Sequence, residues 1–538
     1  MKRKVILLIT LMLVFLLVLN ACSSGNTPKD NSKDAVSTGA DADTSNQPKD
    51  KLRIFQITAS ITYPDSFDFT DNFIVDELEE MANVEIVEAI VPPDTDVKTK
   101  FNLMMASGDI CDVIHTTVGP ADVYALGKTG AFVELTDIIK ESPTLSKLYT
   151  PAQFELLKAD DGKIYALRAM LVDGDASSFA VRYDLLEELG YTSMPDTMEG
   201  WIGAMRKLKA KYPDSLPYIS REELHWTSFV FKSYGCEANG FGWQYYKGKA
   251  IHTFENPMYK EALKTYRMMI DEGLMDKEFP TDKVQDFQDK RLNRKVLVNQ
   301  QNIGGMVDWI DRYPKNNIPK VIFIPGQYPK INDDRIEKIS VYGGPPTFNG
   351  HTISISSTSK HKEGAVRFIE ALYSDKNKEL STWGREGIEY SIVNGEKILN
   401  LDKANETSWR MIYNFPFGYN TKEKLMLTVK QFIASTDHDE AGKQRYEKLF
   451  IENAEKTIED SFSVDMNPFA FIILDTDTGT RLTEAQNEAR TIAIKAMIGE
   501  LSLEEFDAEA AAFTKKYQFI TDEYNKKLPE AKIKAGIK

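Results

Sequence analysis

Between residues 52 and 114 the apolar spacing switches repeatedly between a period near two and a helical period. Leu52-Arg53-Ile54-Phe55-Gln56-Ile57 alternates like a strand, residues 73–81 carry helical spacing, and Val84-Glu85-Ile86-Val87-Glu88 alternates again. A second helix is predicted over 98–106, ended by Ser107-Gly108-Asp109, and Cys111-Asp112-Val113-Ile114 reads as a short buried strand. Parallel strands need crossover connections, so this β-α-β-α-β rhythm predicts a right-handed α/β lobe with a mainly parallel sheet. The alternation continues, with helices predicted over 185–189, 198–212, 257–272, 362–374, 440–458 and 484–517. Strands are predicted over 178–182, 296–299, 321–324 and 351–356. Roughly 490 residues follow the first fifty, more than one hydrophobic core holds, which predicts two or more lobes. No tandem repeat is visible.

The first 22 residues carry a different message. Lys2, Arg3 and Lys4 precede an apolar run over 5–19, interrupted by Thr10 alone, and Leu19-Asn20-Ala21-Cys22 closes it. Fifteen residues suit the apolar region of a secretory signal better than a membrane span. A small residue before cysteine fits a bacterial lipobox, with Asn20 its one less usual position. Cys22 is then expected to carry the lipid that anchors the mature chain outside the cytoplasmic membrane. Residues 22–50 are mostly Ser, Gly, Asn, Asp, Thr and Lys, a composition that reads as a flexible tether.

Loss of residues 1–21 takes the net charge from −15 to −18, which argues against nucleic acid as a partner. With Cys22 committed to lipid, Cys111 and Cys236 allow one disulfide at most, and both are expected to be free and buried. The six histidines show no zinc-ligand spacing, and there is no GxSxG elbow or Walker lysine motif. Asp475-Thr476-Asp477-Thr478-Gly479 begins like a calcium loop, but its glycine comes one place early and Gln486 stands where a glutamate is required. No metal or cofactor is expected. A secreted glycosidase is the enzyme alternative, resting only on the abundance of carboxylates.

Several segments together resemble the extracellular solute-binding proteins, family 1, of carbohydrate ABC importers. Ala106-Ser107-Gly108-Asp109-Ile110-Cys111-Asp112-Val113 is similar to that family's helix–turn–strand signature, with Cys111 where proline is usual. Gly130-Ala131-Phe132-Val133-Glu134-Leu135-Thr136-Asp137 and Asp161-Gly162-Lys163-Ile164-Tyr165-Ala166-Leu167-Arg168 resemble two further family stretches, with Arg168 replacing proline. Glu363-Gly364-Ala365, Trp383-Gly384-Arg385-Glu386-Gly387 and Met497-Ile498-Gly499-Glu500-Leu501 resemble the large LipO-type lipoproteins of Gram-positive bacteria. The likeness spans residues 52–524.

This resemblance implies a two-lobed periplasmic-binding-protein-like (type II) fold, each lobe a mainly parallel sheet flanked by helices, with the ligand cleft at the hinge. The first lobe is expected over 51–176 and 351–400, the second over 177–350 and 401–538. It also implies an oligosaccharide ligand, ABC permease subunits as membrane partners, a monomer, and no chemistry on the ligand. A non-sugar ligand, or presentation to a sensor, are the alternatives within the same fold.

Sugar recognition needs aromatic faces for C–H surfaces and planar polar groups for hydroxyls, presented where strands end. By position, the candidates are Tyr63 and Asp65 after the first strand, and His115, Thr116 and Thr117 after residues 111–114. Asp173 and Asp175 lie at the first crossover, and Gln300, Gln301 and Asn302 follow the strand at 296–299. Trp226, Trp243, Tyr245, Tyr246 and Trp309 are the aromatic candidates. Gly108, Asp109, Asp112 and Asp184 are assigned to structure, Asp184 as a helix N-cap.

Overall fold

The computed structural model describes residues 48–59, 61, 63–172, 175–224, 226–344, 347–417 and 421–537. The signal segment, Cys22, the tether as far as residue 47 and Asp173 lie outside the described residues. The chain first builds β1 (Asp50–Phe55), β2 (Val84–Ile90), β3 (Val113–Thr116) and β4 (Leu167–Met170). It then leaves to form β5 (Phe179–Arg182), the hairpin β6 (Trp243–Tyr246) and β7 (Lys249–His252), β8 (Val298–Gln300) and β9 (Phe323–Gly326). It returns as β10 (Phe348–Ile355). Three helices matter below: α1 (Ser228–Ser233), α2 (Ile303–Lys315) and α3 (Lys338–Tyr342).

The first sheet has the order β2-β1-β3-β10-β4. β1 pairs parallel with β2 and β3, and β10 runs antiparallel between β3 and β4. Gly108, in the left-handed region at φ 74°, ends the helix Val97–Ser107 and turns the chain toward β3. Asp112 then staples three segments. Its Oδ2 accepts the Arg53 N–H at 2.8 Å, its Oδ1 accepts the Ser359 hydroxyl at 2.5 Å, and its carbonyl accepts the Ser356 N–H. Asp109 is exposed and pairs with the Arg53 guanidinium at 2.7 Å. β1 includes the last residue of the expected tether: Asp50 opens it, held by Arg367 at 2.8 Å and His361 at 2.9 Å.

The second sheet departs from expectation. Its order is β8-β5-β9, and β5 runs antiparallel to both neighbours, so a mainly parallel sheet describes the first lobe and not the second. Strands of three and four residues carry too little pattern to reveal direction. Asp184 is also differently employed: it grips the Arg182 guanidinium through both oxygens, at 2.9 and 2.6 Å, and caps no helix. The single helix expected over 484–517 is two, Thr476–Ile498 and Leu503–Lys516. Gly499 at φ 84° ends the first, and a Ser502–Glu505 capping box starts the second.

Two apolar cores organise the chain, one around each sheet. Residues 401–538 do not all join the second: Trp409, Ile412, Tyr413, Phe415 and Phe417 pack in the first core, because the short helical turns there lie against the first sheet. Cys111 and Cys236 are free and buried, one in each core. Among the described residues no helix is long and apolar enough to cross a membrane.

Gly326 marks a close approach in the second sheet. A Cβ there would lie 2.5 Å from the Phe179 ring and 2.8 Å from Val181 Cγ2. The Phe179 ring is itself packed against Trp201, Phe229 and Tyr328, which leaves it nowhere to retreat. Gly326→Ala is expected to cost about 1–3 kcal/mol through overpacking, read as a lower urea midpoint with an unchanged m-value.

Candidate functional site

The topology decides which ends of the two sheets face the crossings. Phe348 of β10 lies opposite Met170, the last residue of β4, and Thr352 lies opposite Thr116, so the carboxyl ends of β1, β3 and β4 share one edge. The chain leaves that edge and enters β5 at Phe179, which lies opposite Gln300 at the end of β8 and Gly326 at the end of β9. Strand ends of both sheets therefore meet the described parts of the crossings, residues 171–172, 175–178, 343–344 and 347, the position where α/β folds bind ligands.

On the second-lobe side the polar groups are locked together. The Tyr328 hydroxyl lies 3.0 Å from both the Ser177 and Ser228 hydroxyls, and Gln300 Oε1 accepts the Ser228 N–H at 2.8 Å. The backbone beside them is strained: Leu224 (φ 58°) and Trp226 (φ 69°) both adopt the left-handed region, at a cost of about 1–2 kcal/mol each. Trp226 is half-buried and stacks on Phe287 with centroids 6.0 Å apart. Gln301 Oε1 accepts from Arg291 at 3.2 Å, and Asn302 caps α2 by accepting the Gly305 N–H. Asp175 Oδ2 accepts the Val172 N–H at 3.0 Å within the first crossing.

On the first-lobe side a chain of hydrogen bonds fixes proton positions. Gln56 Nε2 donates to the Ile57 carbonyl at 3.2 Å, so the same nitrogen donates its second proton to His115 Nδ1 at 2.9 Å. His115 must then be protonated on Nε2, which donates to His351 Nδ1 at 3.1 Å, leaving His351 protonated on Nε2. The His115 ring stacks on Phe415 at 3.9 Å. Tyr63 donates its hydroxyl to the Thr58 carbonyl and joins a ring cluster with Phe67 and Phe69, which continues to Trp409. Asp65 and Thr117 are exposed.

Four of the sequence candidates lie in the interior instead. His115 (3% exposed) and Thr116 (1%) are covered by β10 and Phe415. Trp243 donates its indole N–H to Thr521 at 2.8 Å and packs between the β6–β7 hairpin and the C-terminal helices. Trp309 lies 4.1 Å from the buried Arg291 guanidinium, whose pKa burial pulls down to about 10. Tyr245 and Tyr246 are half-buried on β6. Sequence reasoning did not single out Ser177, Ser228, Tyr328 or His351 as site residues. Ser177 was reachable, since it adjoins the crossing already suspected; the others are joined only by the fold. Asp475 of the would-be calcium loop pairs with Lys527 at 2.8 Å at the start of a helix.

The sequence profile of the bacterial extracellular solute-binding proteins matches residues 64–379. The chain belongs to that family. This solute-binding protein is similar to the lipoprotein LipO of Bacillus subtilis (strain 168), with 24% identity over 80% of this chain and 83% of LipO. It is similar to FusA, the fructooligosaccharide ABC transporter substrate-binding protein of Streptococcus pneumoniae serotype 4, with 26% identity over 73% of this chain and 72% of FusA. A solved structure of similar fold is the HMO-binding, ABC-transporter-associated solute-binding protein of Bifidobacterium longum infantis. Its TM-score is 0.69 at 17% identity, covering 90% of this chain and 99% of that one. The solute-binding protein therefore has the two-lobed fold, and its family and relatives are binding proteins rather than enzymes.

Two expected outcomes follow from this geometry. Trp243→Ala and Trp309→Ala each remove a buried indole, so each should lower stability by about 3–5 kcal/mol in urea denaturation. The second concerns pH. Burial, then the neighbouring His351, holds His115 well below 6.5; burial also lowers His351, and takes His252 to about 3. An unfolded histidine titrates near 6.5 and takes up a proton the folded rings refuse, so stability present above that pH is lost as pH falls below it. The urea midpoint should drop between about pH 7 and pH 5. The drop should be smaller in the double variant His115→Gln, His351→Gln; an equal drop would show that the relay carries none of it.

Proposed function

We propose that this solute-binding protein captures an oligosaccharide between its two lobes outside the cytoplasmic membrane and presents it to an ABC permease, held nearby by lipid on Cys22. The observation that carries this reading is the family match over residues 64–379, joined by relatives whose names specify fructooligosaccharide and HMO binding. The facing strand ends supply matching chemistry. Gln300 and Gln301 are amides held by Ser228 and Arg291, and the buried Tyr328 hydroxyl in turn holds Ser228 and Ser177. Such fixed groups discriminate between sugars, because a ligand lacking the right hydroxyl leaves them unpaired.

Among the aromatic candidates, Trp226 is the ligand platform in this reading: half-buried, strained, and two residues from the serine that holds Gln300. Tyr63, Asp65, Thr117 and Asp175 are the remaining contacts, drawn from both sides of the crossings. Ligand touching both lobes favours the closed arrangement by its differential affinity for it. Delivery to a permease gains from the anchor, since a tethered binding body has a high effective concentration beside its membrane partner.

The test is a thermal-shift and calorimetry screen of the full chain against neutral fructo-, gluco- and milk-type oligosaccharides. At least one should bind, and Trp226→Ala should weaken it at least tenfold while changing the urea midpoint little. The absence of binding across the panel would overturn the carbohydrate reading, and unchanged affinity in Trp226→Ala would remove that residue from the site.

A further inference from the structure

Behind the Tyr328 cluster lies a cavity of about 170 Å³ between α1, β6 and α3. Its polar lining includes Lys232, Glu237, Gln244, Tyr245, Ser340 and Asn467. The volume exceeds what a single water needs.

Lys232 is its unusual member. The residue is 5% exposed, yet among the described residues its Nζ makes no hydrogen bond and no ion pair; its neighbours are the Tyr328 ring at 4.8 Å and Gly343. A Cβ on Gly343, which also lines the cavity, would stand 3.4 Å from that Nζ, so the head group lies at the cavity wall. Burial pulls Lys232 down to about 7, offset in part by Glu237. Glu237 is fixed more firmly: its Oε2 accepts the N–H groups of Asn239, Phe241 and Gly242 at 3.2–3.3 Å. Burial raises the Glu237 pKa, offset in part by those backbone N–H groups. The cavity thus offers an amine and a carboxyl group that, among the described residues, no hydrogen bond or ion pair joins. Burial already shifts both groups toward their neutral forms, and it penalises a charged ligand in the same cavity for the same reason. Neutral hydroxyls, which both donate and accept, meet both groups at once.

We propose that this cavity is a binding site for one neutral sugar ring, whose hydroxyls bridge the Lys232 and Glu237 head groups. The proposal rests on the carbohydrate reading above and extends it to a place that reading did not include. It also ties occupancy to the crossings. The Tyr328 ring under Lys232 is bonded to Ser177 on the first crossing, and Gly343 and Gly344 open the second, where Gly344 lies against the Asp465 carbonyl.

Calorimetry of the full chain with D-glucose, D-galactose and D-fructose, each alone, tests this, with D-glucuronate as the acidic control. At least one neutral monosaccharide should bind, accompanied by a change in tryptophan fluorescence, because Trp243 lines the cavity. Binding should weaken at least tenfold in Lys232→Met, which keeps the stem length and removes the charge, and in Ser340→Phe, which fills the cavity from α3. Oligosaccharide binding without any monosaccharide binding would overturn this site alone; no binding of either would overturn the carbohydrate reading with it. Monosaccharide affinity unchanged in both variants would place the sugar elsewhere, and tighter binding of D-glucuronate than of every neutral sugar would overturn the neutral class.

Discussion

Strand β10 lies between β3 and β4, and the rest of the molecule is arranged around that insertion. The first sheet cannot be completed by local chain, because its fourth strand in spatial order arrives some 180 residues after β4 has been laid down. What fastens the late arrival is largely Asp112. One carboxylate and one carbonyl hold the Arg53 N–H of β1, the Ser359 hydroxyl and the Ser356 N–H just beyond β10. Removing that carboxylate would leave a buried N–H and hydroxyl without their acceptor, at the point where three segments meet. Since β10 belongs to the first sheet, the chain must cross between lobes at least twice, and the crossings place the ends of both sheets together. The site is a consequence of the strand order.

The legibility of the fold follows the same division. The first three strands and their helices were readable because each crossover is local and each period switch is marked, at Gly108 by a left-handed turn. The direction of β5 was not readable, because its partners Asn299 and Pro325 lie more than a hundred residues away and the strand is four residues long. The break at Gly499 was visible in principle, since glycine followed closely by Ser502-Leu503-Glu504-Glu505 is a stop and a capping box in succession. The allocation of residues 409–417 to the first core had no sequence signal, because aromatic residues in short helical turns suit either lobe.

Position in the chain was the better guide to which candidates lie near the crossings, and residue type the poorer guide to which are exposed. Counting from strand ends found Gln300, which lies opposite Phe179 where the first crossing ends, and its neighbour Gln301. Of the tryptophans chosen for their stacking faces, Trp243 and Trp309 are buried and Trp226 is half-buried, because the same large apolar area drives such side chains into cores. Trp309 carried a warning: Met306, Trp309, Ile310 and Tyr313 form one helical stripe, and all four are buried. His115 and His351 illustrate the opposite limit. They are separated by 236 residues, and only the antiparallel pairing of β3 with β10 makes them one hydrogen-bonded unit.

In the proposed carbohydrate reading, that unit is a neutral relay at the lobe edge. The Gln56 amide fixes one proton on His115, which fixes one on His351, so the edge carries a donor of known position without carrying a charge. Across the crossings the pattern repeats with different chemistry, since Ser177 and Ser228 hold the Tyr328 hydroxyl and Ser228 holds Gln300. Groups held this way lose little entropy on meeting a ligand, so more of each hydrogen bond survives as affinity. They also cannot turn to suit a wrong partner, which makes an unmatched hydroxyl costly. Lys232 is the exception that fits the same logic. Among the described residues its Nζ makes no hydrogen bond or ion pair, and in the proposed site a sugar hydroxyl takes that place.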